Sequence, residues 1–472
     1  MTGAAAREGG RRLFRADSLA VAVFALLGLW RGLWPIADNS AFTHLATGMR
    51  MVRDGLIPAI PRVDPYTFTA HGHEWVVQSW LASFAVGWAD RLGGGHAVVV
   101  LNGLTMGVLA WLVASLARTG RAWRTAAAAS IALLVGAPTW APRPLLVGLL
   151  CLGLLILCVE RRWAPWWLVP IVWVWVNSHG SFPLGLAWLV LVTAGAWLDK
   201  RQDDVPLHYL GAFAVGLIAS VANPLGPKLL WFPATALQKR EVFSHIVEWQ
   251  SPDFQSSTGV VMLAGLVLAG LVLARGRLTW RDALPVAVFV GLGLSGERNM
   301  APLGVVLAPV LGRALADAAE PAYVAADRFR VVVTGLAVAG LFTAAFAVQN
   351  DAFATTNYPV ASVRWLEQHD RFDAPHRVAT LDFVGNYLEL LHGARGEVFV
   401  DDRADMFPLS VERDFRAMRE GTDRGVRALD RWDIDTVLWR SGEVFPQRLT
   451  ANGGWVVADR QKGWVVLTRR SD

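Results

Sequence analysis

Long apolar runs are the feature that most constrains the fold of this chain. Runs of about 15 to 20 mostly apolar residues recur along most of the sequence, the length that a helix needs to cross a bilayer core. Of the 472 residues, 54% are hydrophobic and only 18% are charged, and the mean hydropathy is +0.37. The sequence therefore predicts a polytopic α-helical membrane protein.

Eleven of these runs are predicted to be membrane-spanning helices, some of them short enough to require tilt or local bilayer thinning. A further stretch, 75–92, either crosses the membrane or lies on its surface. The positive-inside bias favours an interfacial helix, because a crossing here would place the later basic clusters outside. Its recurring aromatic residues, among them Trp80 and Trp88, fit that position. The predicted spans are 17–34, 96–117, 125–141, 144–158, 164–177, 183–199, 208–222, 258–274, 282–295, 300–316 and 331–348.

The distribution of basic residues predicts the orientation. If 75–92 does not cross, the arginine-rich N-terminus and the clusters in 118–124, 275–281 and 313–330 all lie on one side. Cytoplasmic loops carry an excess of Lys and Arg, so this side is predicted to be cytoplasmic. A large first loop, 35–95, and the C-terminus are then outside. Since the basic residues set topology, the net charge of +5 does not indicate a nucleic-acid partner.

The composition changes near residue 349, which divides the chain into a membrane domain (1–348) and an extracytoplasmic α/β domain (349–472). Alternating strands and helices predict a parallel sheet with crossover helices that ends in a hairpin. The predicted strands are 377–381, 397–401, 435–439, 454–459 and 463–468, and the predicted helices are 359–369, 384–391, 410–419, 423–431 and 443–450.

The first loop is rich in titratable residues. Asp38 directly follows the first predicted span, where a carboxylate serves either as a general base or as the N-cap of the next helix. His44, on that helix, is a candidate for phosphate binding or proton transfer, or a structural hydrogen-bonding residue. Asp64 precedes a proline, which is typical of an Asx-type turn. His71, His73 and Glu74 resemble a metal-ligand group, but without a second cluster a solvated loop is favoured.

Polar and ionisable residues also recur at the outer ends of later predicted spans. Such groups are costly at membrane depth and often functional, and arginine is a natural clamp for phosphate. Each residue alone is equally explained by capping or snorkelling, but their recurrence on one face predicts a shared site. Besides His44, the candidate substrate-binding residues are Arg143, Asn177, His179, Glu248, Arg298 and Asn299, with His245 on the same loop as Glu248.

In the last domain, FVDDRADMF (399–407) follows a predicted strand with Asp401, Asp402, Arg403 and Asp405. The carboxyl end of a parallel strand is a usual binding position. A local Asp–Arg pair that shapes a turn explains the segment equally well.

An ordered set of segments resembles the GT-C superfamily of membrane glycosyltransferases, and more narrowly a group of bacterial membrane proteins with that architecture. The resemblance covers nearly the whole chain. The segments are DNSAFTHLATG, IPAIPRVDPYTFTAHGHEWVVQSWL, APRPLL, WVNSHGSF, ANPLGPKLL, HIVEWQSPDF, GERNMAPL, NYPVASVRWL and VFVDDRADMF, in that order.

The resemblance implies residue roles. GT-C enzymes such as the protein O-mannosyltransferases and aminoarabinose transferases carry an essential acid just after the first span and usually use a polyprenyl-phosphate sugar. By that likeness Asp38 is the base that deprotonates an acceptor hydroxyl. The donor phosphate is then held by Arg143 and Arg298, with His44 or His179. Asp64, the second candidate catalytic residue, or Glu248 positions the acceptor or a divalent metal.

The resemblance also implies the location and partners. The bilayer would be the bacterial cytoplasmic (inner) membrane, and the acceptor an envelope glycan, lipid or protein. The sequence departs from the family where it reads Asp38-Asn39-Ser40, because the usual second acid is missing. This departure favours a single-base mechanism without a metal, and it keeps open a non-catalytic scaffold in envelope assembly. A transporter is disfavoured because few charged residues lie near the middle of a predicted span.

Overall fold

A computed structural model describes residues 6–8, 11–201, 206–243, 246–276, 278–316, 321–347, 351–393, 395 and 398–470. Most of these residues form a bundle of α-helices, and a C-terminal α/β region, residues 351 onward, lies at one end of it. The mostly helical architecture with a small C-terminal sheet agrees with the prediction. His245 lies outside the described residues.

Each of the eleven predicted spans overlaps a helix of the bundle. Two of the described helices are long and apolar enough to cross a membrane by length and composition, Trp80–Leu116 and Ala326–Ala345. The number of spans therefore stays a prediction. The helices are α1 (Asp17–Gly32), α2 (Ser40–Asp54), α3 (Leu56–Ala59), α4 (Trp80–Leu116), α5 (Ala122–Gly136), α6 (Leu145–Glu160), α7 (Leu168–Ser178), α8 (Pro183–Leu198), α9 (Leu207–Ala219), α10 (Lys228–Gln238), α11 (Arg240–Phe243), α12 (Ser257–Leu273), α13 (Trp280–Ser295), α14 (Met300–Leu315) and α15 (Ala326–Ala347).

The predicted interfacial helix and the second predicted span are consecutive parts of α4. They are separated by a kink at Gly93 and Gly94, and Gly94 has a φ of 63°, in the left-handed region that glycine adopts at little cost. The helix begins at Trp80, so its predicted start at residue 75 is wrong. Trp75 is buried, and the centre of its ring lies 4.3 Å from the Arg403 guanidinium. It therefore packs inside the protein rather than at a lipid interface.

Two glycines fix α2 against the first half of α4. A Cβ atom on Gly48 would lie 2.0 Å from the carbonyl oxygen of Ser83, and one on Gly87 would lie 2.2 Å from the carbonyl carbon of Gly48. No larger residue fits at this crossing without moving backbone. His44 lies one turn before Gly48, so the close contact holds its imidazole against α4.

The loops gather at two ends of the bundle, and basic residues mark one of them. There, Arg118 contacts Asp17 at 3.3 Å and Arg313 contacts Glu160 at 2.7 Å. This end also carries a three-stranded antiparallel sheet, which the sequence did not predict, in the order β1 (Ala6–Glu8), β2 (Arg11–Arg15) and β3 (Tyr323–Ala325).

The C-terminal α/β region contains a four-stranded sheet of order β4-β5-β7-β6. The β4–β5 pair is parallel and the β6–β7 hairpin is antiparallel, as the alternation of elements predicts. Its elements are α16 (Val360–Gln368), β4 (Val378–Thr380), α17 (Asp382–His392), α18 (Leu409–Arg419), α19 (Asp423–Arg431), β5 (Thr436–Arg440), α20 (Val444–Ala451), β6 (Trp455–Gln461) and β7 (Trp464–Arg469).

The predicted strand 397–401 does not join this sheet. Val398 instead forms an isolated parallel bridge with Thr67 of the first loop, and Phe68 N donates to Val398 O at 3.0 Å. A second bridge joins Ile36 to Phe353. The strand prediction is wrong because the backbone partner of this segment lies in the first loop, and the same contacts hold the C-terminal region against that loop.

Candidate functional site

An ion pair joins the first loop to the connection between α5 and α6. Asp38 lies between α1 and α2, and Arg143 stands between two prolines just before α6. The Nε of Arg143 lies 2.8 and 2.7 Å from the two carboxylate oxygens of Asp38. The Asp38 side chain is 11% exposed and the Arg143 side chain 26% exposed, so the pair is largely withdrawn from solvent while remaining within reach of a ligand.

The pair extends into a cluster of four residues, Asp38, Arg143, Glu248 and Arg298, called here the charge cluster. Arg143 Nη1 donates to Glu248 at 2.8 Å, and Arg298 Nη1 lies 4.0 Å from the same carboxylate. The Arg298 guanidinium is 4.2 Å from the centre of the Trp249 ring. The four residues come from four separate connections between helices, and the structure brings them together at one end of the bundle.

The two arginines of the charge cluster differ electrostatically. Burial opposes the charge on Arg143, but Asp38 and Glu248 outweigh it and raise its pKa. Burial lowers the pKa of Arg298, and Glu248 offsets this only in part. Arg298 is therefore the less compensated cation, and it would gain more from a bound anion.

The two candidate histidines lie near the charge cluster as neutral imidazoles. His44 Nδ1 is 2.9 Å from Ser83 Oγ, and burial, followed by the charges of Arg143 and Arg403, lowers its pKa to about 4. His179 Nδ1 is 2.8 Å from Ser181 Oγ, and burial and Arg298 lower its pKa to about 3. At neutral pH either ring can donate a hydrogen bond to a phosphate but adds no charge.

Asn177 and Asn299 use their side chains to hold helices in place. Asn177 donates to Trp173 O and accepts from Trp80 Nε1, both at 2.8 Å, which ties α7 to the start of α4. Asn299 donates to Leu292 O at 3.1 Å. The structure brings neither amide into the ion pairs of the charge cluster.

Asp64 belongs to a second, buried group formed with Glu389, Asp401 and Arg403, called here the Arg403 cluster. Arg403 Nη2 lies 2.7 Å from Asp64, 2.5 Å from Asp401 and 3.4 Å from Glu389. The side chains of the three acids are 0% exposed. Burial and Asp401 raise the pKa of Glu389 well above its ordinary value, whereas Arg403 outweighs burial and lowers the pKa of Asp401.

Asp64, which was predicted to be a catalytic residue, is fully buried in this structure. Besides Arg403, its carboxylate accepts from the backbone N–H groups of Tyr66 and Thr67 at 3.2 and 3.0 Å. These contacts enclose it completely, so no substrate reaches it in this structure. The turn-shaping interpretation of Asp64 fits the contacts.

Asp402 lies beside the residues that follow Asp38. Its Oδ2 accepts from Asn39 Nδ2 at 2.8 Å and from the Ser40 hydroxyl, and its Oδ1 accepts from Asn386 at 2.6 Å. Burial raises its pKa to about 6, although the hydrogen bond from Ser40 opposes the shift. The C-terminal region thus supplies an acid next to the site where the sequence lacks one after Asp38.

The fold is similar to those of two solved structures. An archaeal oligosaccharyltransferase, AglB from Archaeoglobus fulgidus, solved with an inhibitory peptide and a dolichol-phosphate, matches with a TM-score of 0.50 over 89% of this chain and 69% of its own, at 13% identity. The chain has a GT-C-like fold. ArnT from Cupriavidus metallidurans, solved bound to undecaprenyl phosphate, matches with a TM-score of 0.45 at 15% identity over 95% of this chain and 97% of its own.

No protein-family model and no curated protein sequence matches the chain. Its GT-C-like fold is therefore recognised from structure, and the site from its own geometry.

The candidate metal ligands of the first loop do not form a metal-binding group in the part of the chain that the structure describes. Among the described residues, no group of three or more His, Cys, Asp or Glu side chains is arranged to hold a metal ion. His71, His73 and Glu74 are exposed, and Glu74 pairs with Lys228, which fits a solvated loop.

Proposed function

We propose that this chain is an integral membrane glycosyltransferase that moves a sugar from a polyprenyl-phosphate donor to a hydroxyl acceptor. The charge cluster carries this proposal, because two arginines and two carboxylates, one of them Asp38, meet at the end of a helical bundle. The GT-C-like fold supports it, since AglB, which has the same fold, was solved with a dolichol-phosphate. The proposed location is the bacterial inner membrane, with the site on its outer face.

The arginines are suited to bind the donor phosphate. Arg298 Nη1 lies 4.0 Å from Glu248, beyond hydrogen-bond reach, so a phosphate oxygen can approach it without breaking a strong pair. Arg143 is held in place by Asp38 and Glu248, and a phosphate at Arg298 would lie next to it. Charge-assisted bonds from guanidinium groups are the strong ones for phosphate, and they stabilise the charge that develops on the leaving group.

Asp38 is the proposed base. The acceptor hydroxyl oxygen attacks the anomeric carbon, and the bond between that carbon and the phosphate oxygen breaks. Polyprenyl phosphate leaves with the electron pair, and the hydroxyl proton passes to the Asp38 carboxylate. In the free protein Arg143 covers Asp38, so binding of the phosphate to Arg143 would release the carboxylate for this step.

The remaining candidates have supporting roles in the proposal. His44 and His179 donate hydrogen bonds to the phosphate as neutral imidazoles, while Asn177 and Asn299 position the helices that carry the site. Asp64 supports the first loop from within the Arg403 cluster. The acceptor is an envelope glycan, lipid or protein.

The experiment separates lipid-phosphate binding from sugar transfer. The purified protein in lipid nanodiscs is titrated with undecaprenyl phosphate and supplied with labelled polyprenyl-phosphate sugars, and released polyprenyl phosphate is measured. Arg298→Met is expected to weaken lipid-phosphate binding at least tenfold. Asp38→Asn is expected to keep binding and abolish transfer.

Arg53→Met is the matched control, because the Arg53 side chain is 76% exposed and pairs with its sequence neighbour Asp54. Unchanged transfer by the Asp38 variant would remove Asp38 as the base. Binding by the wild type without turnover of any sugar would favour a non-catalytic scaffold. Absence of lipid-phosphate binding would contradict the glycosyltransferase proposal.

A further inference from the structure

Three arginines and one acid meet at the basic end of the bundle, in a group called here the Asp17 cluster: Arg15, Asp17, Arg118 and Arg161. Asp17 begins α1, Arg118 follows α4 and Arg161 follows α6, and α4 packs against both of the other helices. The Asp17 carboxylate accepts from Arg15 Nη2 at 2.8 Å and from Arg118 Nη1 at 3.3 Å. Its side chain is 0% exposed.

The Asp17 cluster carries more positive than negative charge. In the part of the chain that the structure describes, Asp17 is the one carboxylate that pairs with these arginines, and Arg161 is exposed and has no ion pair. Burial lowers the pKa of Arg118, the charges of Arg15 and Arg161 lower it further, and Asp17 offsets these effects only in part. A bound anion would relieve the repulsion among the three cations.

The other arginine pair described at this end is compensated. Arg281 Nη2 lies 3.1 Å from one oxygen of Glu160, and Arg313 Nη1 lies 2.7 Å from the other oxygen of that carboxylate. Arg313 also pairs with Asp282, so two arginines face two acids. The excess of positive charge in the Asp17 cluster is therefore not a general property of arginines at this end.

Exposed tryptophans place the Asp17 cluster at the level of a membrane surface. Trp163 lies two residues after Arg161, Trp123 lies five residues after Arg118, and both indole rings are exposed. Tryptophan is enriched where a bilayer meets water. The side chains of Arg15 and Arg118 are 34% and 22% exposed, so a group at that level can reach both.

An apolar surface continues from the cluster along α4. Leu104, Val108 and Trp111 are exposed, and their spacing places them on one face of the helix, in line with Arg118 one to four turns further along. A free anion would leave this surface unused. A lipid would cover it with acyl chains while its headgroup lies beside the arginines.

The charge of the cluster restricts the headgroup. Guanidinium groups form strong charge-assisted hydrogen bonds with phosphate oxygens, and basic pockets between membrane helices bind anionic headgroups. A zwitterionic headgroup brings a quaternary ammonium group, which the three arginines would repel. An anionic phospholipid brings the phosphate without that cation.

We propose that the Asp17 cluster binds the phosphate group of an anionic phospholipid, with the acyl chains along the exposed face of α4. The site lies at the opposite end of the bundle from the charge cluster, because α1 runs from Asp17 towards Asp38 and α6 runs from Arg143 towards Arg161. Each of these helices has 16 residues, or about 24 Å of rise. The proposal does not depend on the proposed function.

The test compares two lipids with identical acyl chains. The purified, delipidated protein in an uncharged detergent is titrated with dioleoyl phosphatidylglycerol or with dioleoyl phosphatidylcholine, and bound lipid is counted by native mass spectrometry. The first phosphatidylglycerol is expected to bind about tenfold more tightly than the first phosphatidylcholine, since more than one arginine favours it. Inorganic phosphate is titrated separately and is expected to bind far more weakly, because it has no acyl chains.

Two variants remove one arginine of the cluster each. Arg118→Met and Arg161→Met are each expected to weaken binding of phosphatidylglycerol about fivefold, the effect of one arginine near an anionic lipid, and to leave binding of phosphatidylcholine unchanged. The matched control is Arg275→Met, which removes the same charge from an exposed position at the same end but outside the cluster. It should bind both lipids as the wild type does.

Equal affinity of the wild type for the two lipids, or an unchanged preference in both cluster variants, would overturn the proposal. Inorganic phosphate that binds as tightly as phosphatidylglycerol would overturn the assignment to a lipid. Loss of the preference in Arg298→Met, with both cluster variants unaffected, would place the lipid in the charge cluster instead and would also contradict the proposal.

The unfolding midpoint of each variant is measured alongside. Arg161→Met keeps the test decisive if Arg118→Met fails to fold, because Arg161 has no ion pair to lose among the residues that the structure describes. The assay contains no sugar, so it is independent of turnover. Selective binding of phosphatidylglycerol by a protein that transfers no sugar would support this site while contradicting the glycosyltransferase proposal.

Discussion

Replacing Arg403 by Met should destabilise the protein strongly. Met has a similar length and fills space flexibly, so the change removes the charge more than the volume. It leaves the carboxylates of Asp64 and Asp401, both fully buried, without their cation. Breaking a buried ion pair by removing one partner typically costs about 3–5 kcal/mol, and here one arginine serves more than one carboxylate.

The loss should be measured as a shift in the thermal unfolding midpoint, followed by tryptophan fluorescence of the intact protein in detergent. The C-terminal region has somewhat over a hundred residues, for which 1 kcal/mol corresponds to about 3–6 °C. A decrease of roughly 10 °C or more is therefore expected from a loss of about 3–5 kcal/mol. Arg53→Met is the control, because an exposed pair contributes about 0–1 kcal/mol.

The effect of Arg403→Met on stability should also depend on pH in a definite direction, which a simple loss of packing would not produce. In the wild type the pKa of Asp401 is below its ordinary value of 3.8, so its stabilisation is present above pH 3.8 and is lost only in stronger acid. Without Arg403, burial should raise the pKa of this carboxyl. The folded variant then binds more protons than the unfolded chain, and its stability increases as the pH falls.

The difference in midpoint between wild type and Arg403→Met should consequently narrow as the pH is lowered from 8 to 5. A variant that melts within 2 °C of the wild type at pH 8 (a loss of about 0.3–0.7 kcal/mol) would show that the buried acids do not depend on Arg403 for stability. A difference that stays constant with pH would assign the loss to packing rather than to unpaired charge.

Three further outcomes are expected. Gly48→Ala should destabilise the protein by about 1–3 kcal/mol, because its Cβ would lie 2.0 Å from a backbone oxygen at the α2–α4 crossing. The control, Gly211→Ala, has nothing within 4 Å of its Cβ and should be neutral or stabilising when thermal unfolding is measured. Arg143→Lys should retain charge but reduce transfer at least tenfold, because lysine cannot hold Asp38 and Glu248 in the fork geometry; equal turnover would contradict this. An impermeant maleimide applied to intact cells should label His73→Cys but not Arg161→Cys, and the reverse pattern would invert the proposed orientation.

Most of the helices were predictable because their signals are local, whereas α3, α10 and α11 were not predicted. Each apolar run is long enough to be recognised by itself, and the five helices of the C-terminal region carry ordinary amphipathic patterns. The boundary between the predicted interfacial helix and the second predicted span coincides with the kink at Gly93 and Gly94 in α4. The strand Arg11–Arg15 was not predicted, because its RRLFR sequence is dominated by arginine and its partner, Tyr323–Ala325, is about three hundred residues away.

Part of the candidate site was predictable from topology alone. Asp38 and Arg143 are 105 residues apart in sequence, as are Arg143 and Glu248, but every one of them stands at a helix end on the same predicted side. Successive spans place their connections on alternate sides, so counting the spans brings these residues to one end of the bundle without any knowledge of packing. The count does not show how deeply a residue is buried, and Asp64, on the same predicted side, is fully buried against Arg403.

The position of Asp402 beside Asn39 and Ser40 could not be predicted from the order of the helices. A search for paired acids after the first helix finds Asp38 followed by Asn39 and Ser40, and concludes that one acid is missing. The two polar side chains that stand in its place are donors, and donors are what a carboxylate arriving from elsewhere requires. Asn39 and Ser40 both donate to Asp402, 363 and 362 residues away. An apparently missing acid in a sequence motif should therefore be sought in space wherever hydrogen-bond donors have replaced it.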